Sequence, residues 1–284
     1  MKKTSIIFII CFVVIISAKS QISIPIGTQE QINNFFYTKT YIVLKNNFVS
    51  DYNFTMKEII PEEWKITKYE FIKESDFEKY RKDPTKSFLM INKVQLNDDK
   101  TETLFDFLVL SLGGNYKTVD EMPTLCAIPL CYSEIKTDNE DYTYKLGILI
   151  KFIQNNIEIC KNNPTLKPEN ILDYYKKNAS PIQDKIMYII KDELSPELRN
   201  DAAFKRNFSQ NYKFSNQDEI EKLIKNQDDK AIIIHQVTQY NKKGLSYSIT
   251  FLIDTKNANI FSYNFRKIDK ENDKYLQITD LYKN

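Results

Sequence analysis

The sequence predicts an α/β protein of the α+β kind: two related β-α-β-α-β-β modules with mixed sheets, joined by a helical pair. Three observations carry that expectation. The stretch Phe71 to Val94 returns as Phe214 to Val237, a shift of 143 positions (214 minus 71), with Phe71, Glu78, Lys79, Lys82, Ile91 and Val94 matched by identical residues. Short β-branched and aromatic runs alternate with short amphipathic ones, the pattern of strands between helices. Hydrophobic residues make up 42% and aromatic residues 13% of the 284, enough for a core in each of two units.

Residues 1–20 read as a secretory signal peptide. Lys2 and Lys3 precede an apolar run from Ile6 to Ile16, and Ala18-Lys19-Ser20 places small residues where a signal peptidase cuts. The run is shorter than the ~20 residues that a spanning helix needs. Cys11 lies inside it and not at the cleavage site, which argues against a lipid anchor. Cleavage before Gln21 removes three lysines and leaves 37 basic against 38 acidic residues in a mature chain of 264. The formal charge of +2 on the whole chain therefore gives no argument for a nucleic-acid partner.

The first module is expected over 21–120. Gln21 to Tyr37 reads as an extended lead-in. Lys39 to Lys45 suits a buried strand, and Ser50 can cap a helix that Pro61 should end. Trp64 to Ile72 alternates as a second strand. Ser75-Asp76-Phe77-Glu78 has the form of a capping box, with Asp218-Glu219-Ile220-Glu221 at the same offset. Ser75 and Asp218 should therefore both cap helices. Strands follow at Lys86 to Gln95 and, past the turn 97–100, at Thr103 to Leu110. Ile91 and Ile234 should lie at matching depths in two sheets.

Residues 121–182 are expected to form a loop and a helical connector. Met122 to Tyr132 contains prolines and reads as a loop. Asp141 to Cys160 is the strongest helix of the chain, with Leu146, Leu149, Ile150, Ile153 and Ile157 at three-and-four spacing. A second helix runs to about Asn178, and the pair should pack on one or both sheets. In the second module, over 183–284, Ile186 to Lys191, Glu197 to Phe208 and Tyr212 to Phe214 repeat strand, helix and strand. Ala231 to Val237 and Leu245 to Ile253 follow the same order. Ile260 to Arg266 adds one more strand, whereas the first copy departs from the pattern at Gly113-Gly114. Helices should lie mostly on one face of each sheet.

No residue is assigned a catalytic, cofactor-binding or metal-binding role. Cys126 and Cys131 either close a small disulfide loop or stay as unpaired buried thiols, and with Cys160 they leave an odd number after cleavage. His235, the sole histidine, follows three isoleucines on a strand and aligns with Asn92, which favours a structural role. G-x-S-x-G is absent, and Gly113-Gly114 lacks the rest of a phosphate-binding loop. Ser133 to Lys136 fits S-x-x-K without its companion motifs. Sequons stand at Asn53, Asn178 and Asn207, meaningful only in a eukaryotic secretory pathway. The composition, rich in Lys, Asn and Ile, points to a bacterium.

In this composition and in its signal, the chain resembles uncharacterised secreted proteins of AT-rich Gram-negative bacteria. The element order also resembles, in topology, the α/β domain that begins the periplasmic TolB family and related envelope-assembly lipoproteins. Fold alone does not fix function. The resulting expectation is a periplasmic or secreted, non-enzymatic protein that offers sheet edges or an intermodule cleft to a protein or peptide partner. A carboxylate-dependent exported hydrolase and a secreted effector are the alternatives.

Overall fold

The computed structural model describes residues 24–95, 104–133, 140–178, 181–238 and 246–282. The expected signal segment, the turns at 97–100 and 240–243, and Lys136 lie outside them. Two five-stranded mixed sheets with flanking helices form two related α/β modules. In the first, β1 (Lys39–Leu44) is parallel to both β2 (Lys68–Lys73) and β3 (Lys86–Gln95), and β4 (Leu104–Leu112) and β5 (Thr124–Ser133) complete it antiparallel. The second repeats this arrangement with β6 (Ile186–Ile190), β7 (Tyr212–Ser215), β8 (Ala231–Thr238), β9 (Ser246–Asp254) and β10 (Ile260–Ile268). The strand orders β2-β1-β3-β4-β5 and β7-β6-β8-β9-β10 are the same, as an internal repeat requires.

Several local expectations are corrected. Thr124–Ser133 is a strand, so the first module does not depart from the second after Gly113. Its proline, Pro129, sits at a register shift opposite Phe107 on an edge strand, where a missing N–H is tolerated. A side chain at Gly113 would meet the carbonyl of Asp83, so glycine there is a packing requirement. The lead-in contains helix α1 (Gln29–Phe35), started by a capping box between Thr28 and Gln31. Helix α2 (Asp51–Glu63) is capped by Ser50 as expected but passes through Pro61. Pro61 stands in the last turn and forfeits one bond, to the exposed residue Lys57. Trp64 then caps the helix end and leaves β2 to begin at Lys68.

The expected caps fail. Helix α3 (Phe77–Tyr80) has no side-chain cap, and Ser75 instead donates its backbone N–H to Asn46. Helix α7 (Gln217–Lys225) is capped by Asn216, two residues before Asp218, through a 2.9 Å bond from Glu219 N–H. Ile91 and Ile234 hold corresponding ladder positions, opposite Leu108 and Leu252, yet Ile234 is buried and Ile91 only half-buried.

Helices lie on both faces of each sheet. With β1 between β2 and β3, the two crossovers run in opposite directions, and a shared right-handed sense puts their helices on opposite faces. Helix α2 packs with Ile42 and Leu44, whereas Phe77 of α3 packs with Tyr41 and Val43. In the second module, Phe204 of α6 (Asp201–Asn207) packs with Met187 and Ile189, and Ile220 and Ile224 of α7 join the cluster that holds α2. The modules therefore turn non-equivalent faces toward each other: the first its α2 side, the second its α7 side.

Between them lie α4 (Leu146–Asn162) and α5 (Ile171–Asn178). Leu149, Phe152 and Ile153 of α4 are buried in one cluster with Ile42 and Leu110 of the first sheet and Ile233 and Phe251 of the second. The connector is thus the middle of a shared core. Among the described residues, no helix is long and apolar enough to cross a membrane.

Candidate functional site

Open α/β sheets with this strand order bind ligands beyond the carboxyl ends of their parallel strands, where the crossovers diverge. That point lies between β1 and β3 in the first module and between β6 and β8 in the second.

At the end of β1 the first module holds one of the protein's own carboxylates. Glu140 Oε1 lies 2.7 Å from Lys45 Nζ and accepts a 2.7 Å bond from Ser50 Oγ, while Oε2 accepts a 3.0 Å bond from the N–H of Tyr52. The carboxylate thereby sits on the N-terminus of α2, where the unsatisfied N–H groups favour negative charge. Burial alone would raise the Glu140 carboxyl, but Lys45, Ser50 and the Tyr52 N–H outweigh it and hold the group below the usual range. Asn53 fixes the preceding turn through Lys45 N–H, Lys45 carbonyl and Asn47 carbonyl. Its sequon is therefore buried, a structural amide withdrawn from any modifying enzyme. The space between the ends of β1 and β3 is a depression of about 470 Å³, lined by Lys45, Asn92 and Asp106.

In the second module the corresponding region is an open cleft of about 900 Å³. Its walls are the ends of β6, β7 and β8, the end of β5 from the first sheet, and the turn Asp141 to Lys145 that leads into α4. Lys145 is its charged centre. Its side chain is 6% exposed, with Glu193 Oε1 3.9 Å away and the Tyr144 ring centroid 4.8 Å away. Its ammonium faces the Glu193 carboxylate and the Tyr144 hydroxyl. Burial pulls its pKa down, but Glu193 and Tyr144 outweigh that and raise it, so the group is a cation at neutral pH. A nucleophilic or basic lysine would need the opposite shift.

His235 lines the same cleft at 1% exposure. Its Nε2–H donates a 2.7 Å bond to the carbonyl of Pro129, which ties the second sheet to the edge strand of the first. A carbonyl only accepts, so Nδ1 carries a lone pair, and it is buried without a partner. Burial, then the charge of Lys145, pushes the histidine down to about 3, with the Pro129 carbonyl opposing. The ring is therefore neutral. Tyr142 Oη and Thr238 Oγ1 are buried, unpartnered atoms of two more residues that line this cleft. Burial raises the Tyr142 hydroxyl far above its ordinary value.

Of the residues singled out from sequence, only His235 and Cys131 reach the cleft. Cys126 and Cys131 lie on β5 with no disulfide between them. Five residues of extended strand separate them by ~16 Å, against the ~7 Å limit for bridged Cα atoms. The strand thus leaves both as thiols. Cys126 is buried in the shared core beside Cys160, whose thiol burial pushes up to about 12. Among the described residues no group of three or more His, Cys, Asp or Glu side chains could hold a metal ion. Lys145 and Tyr142 were visible in sequence only as the opening turn of a helix.

Comparison with protein-family models, curated proteins and solved structures finds no match to this chain.

Proposed function

We propose that the protein is an exported, non-enzymatic binding protein that holds a peptide or peptide-like partner in the cleft between its two modules. The observation that supports this reading is an open cleft of about 900 Å³ whose walls come from both sheets and which Lys145, His235 and Asp192 line. That volume lies within the range of small-molecule sites, which are largely preformed and carry a few placed polar groups. The neutral His235 and the cationic Lys145 suit holding a ligand better than proton transfer near neutral pH. Export follows from the signal-like segment at residues 1–20.

The test has two arms. Fractionation and cross-linking in the native envelope should place the mature protein outside the cytoplasm and capture a discrete partner. Titration of the purified chain with a short-peptide library should shift the His235 ring resonances saturably. A cytoplasmic protein, or a library that leaves His235 unmoved, would defeat the reading. Peptide turnover abolished by Asp192→Asn would replace binding with hydrolysis.

A further inference from the structure

The second sheet wraps around β5, the edge strand of the first, so that one of its faces meets both faces of that sheet. On one side of β5, Ile233 and Ile249 join the cluster that holds Leu110 and Cys126. On the other, Val237 and Tyr247 join Phe107, Val109 and Ala127. The contact on this second side is incomplete and leaves a pocket of about 530 Å³.

The ladder registers set its construction. Phe107 stands opposite Asn92 on β3 and Pro129 on β5, and Val109 stands opposite Ala127, which gives a floor of three adjacent strands. Tyr263 stands opposite Phe251 on the second sheet, their rings 5.1 Å apart, and the pair forms a further wall. None of the described lining residues belongs to a helix. The walls open onto the space: Phe107, Ala127 and Tyr263 keep 7%, 8% and 9% of their surface exposed, and Val94 and Val119 are half-buried.

Two charged residues, Lys93 and Asp120, line the pocket; they are opposite in sign and both exposed. Lys93 also has the Asp106 carboxylate 3.8 Å away. The pocket therefore presents no net charge, and an ionised group carried into it would lose its water without compensation. Aromatic rings from both sheets, Phe107 from the first and Phe251 with Tyr263 from the second, favour a flat ring as the occupant. The volume lies within the range of small-molecule sites.

We infer that this pocket is a second binding site, for a small uncharged molecule that carries an aromatic ring. It shares no described lining residue with the cleft at the end of β6 and does not depend on the peptide reading.

The probe is N-phenylnaphthylamine, an uncharged ring compound whose fluorescence rises in apolar surroundings, titrated into the full mature chain. One molecule should bind per chain. Anilinonaphthalene sulfonate, the same ring system with an added anion, should bind at least tenfold more weakly. Ala127→Phe, which extends a side chain from the floor, should weaken N-phenylnaphthylamine about tenfold while thermal melting shows the fold retained. Val119→Trp fills the space from a half-buried loop position and serves if Ala127→Phe fails to fold. Absence of saturable binding, or equal binding of the two compounds, would overturn the inference. Undiminished binding by a folded Ala127→Phe or Val119→Trp chain would place the probe elsewhere and overturn it as well.

Discussion

At the end of β1, Glu140 closes on Lys45 at 2.7 Å and on the N-terminus of α2, whereas at the end of β6, Lys145 looks across 3.9 Å to Glu193 and into an open cleft. The modules share a strand order, so the contrast comes from the segment between them. Glu140 binds at the end of β1, and four of the next five residues, Asp141, Tyr142, Tyr144 and Lys145, line the second site. One short stretch thus reaches both sites of the pair. The contrast extends to packing, since the modules turn non-equivalent faces to the shared core.

The largest effect should come from removing what the modules have in common. Phe152 is fully buried in the cluster that touches both sheets, and Phe152→Ala should cost about 3–5 kcal/mol. The chain has one tryptophan, Trp64, in the first module and one histidine, His235, in the second, so each module carries its own reporter. Denaturant curves from Trp64 fluorescence and His235 NMR should shift together. Separate midpoints would mean two independent cores.

Acid should act next, through His235. The unfolded imidazole takes a proton near pH 6.5, while the folded one resists to about 3. Its contribution is therefore intact above pH 6.5 and drains as the pH falls through that window, with a slope approaching ~1.4 kcal/mol per pH unit. Subtracting the curve of His235→Phe should isolate that slope; parallel curves would show that the ring is not held neutral.

Glu140→Gln probes the end of β1. It removes the carboxylate charge 2.7 Å from the largely buried Lys45 and should cost about 2–3 kcal/mol in urea denaturation. Because the Glu140 carboxyl is held below its ordinary value, its contribution is present above ~pH 4.3 and lost as pH falls through the folded value. The variant should therefore lose less stability on acidification than the parent. The smallest effect contrasts the second crossover helices: Asn216→Ala should cost about 1 kcal/mol, and Ser75→Ala, which removes no cap, under ~0.5 kcal/mol by the same melts.

Much of the scaffold was legible because it is local. Lys86–Gln95 has the bounds that its β-branched and aromatic content predicts, and the repeated element order anticipated two sheets of one design. The misses have physical causes. Pro129 disguised β5, since an edge strand at a register shift tolerates the proline that a central strand would not. Thr28 and Gln31 carried a legible capping box that a search for apolar periodicity passes over. Asn216 took the cap expected of Asp218 because its side chain reaches the Glu219 N–H from the residue that precedes the helix. The cleft was not legible at all. Lys145 meets Glu193 and His235 meets Pro129 only after folding, the second pair across 106 residues.

The cleft at the end of β6 is tested most directly by one titration. Short peptides are added to the mature chain, and the His235 ring and Trp64 indole resonances are recorded together. His235 should shift saturably while Trp64, which donates to Thr67 inside the shared core, stays in place. A shift of Trp64 equal to that of His235, or movement of neither, would contradict a ligand held in that cleft.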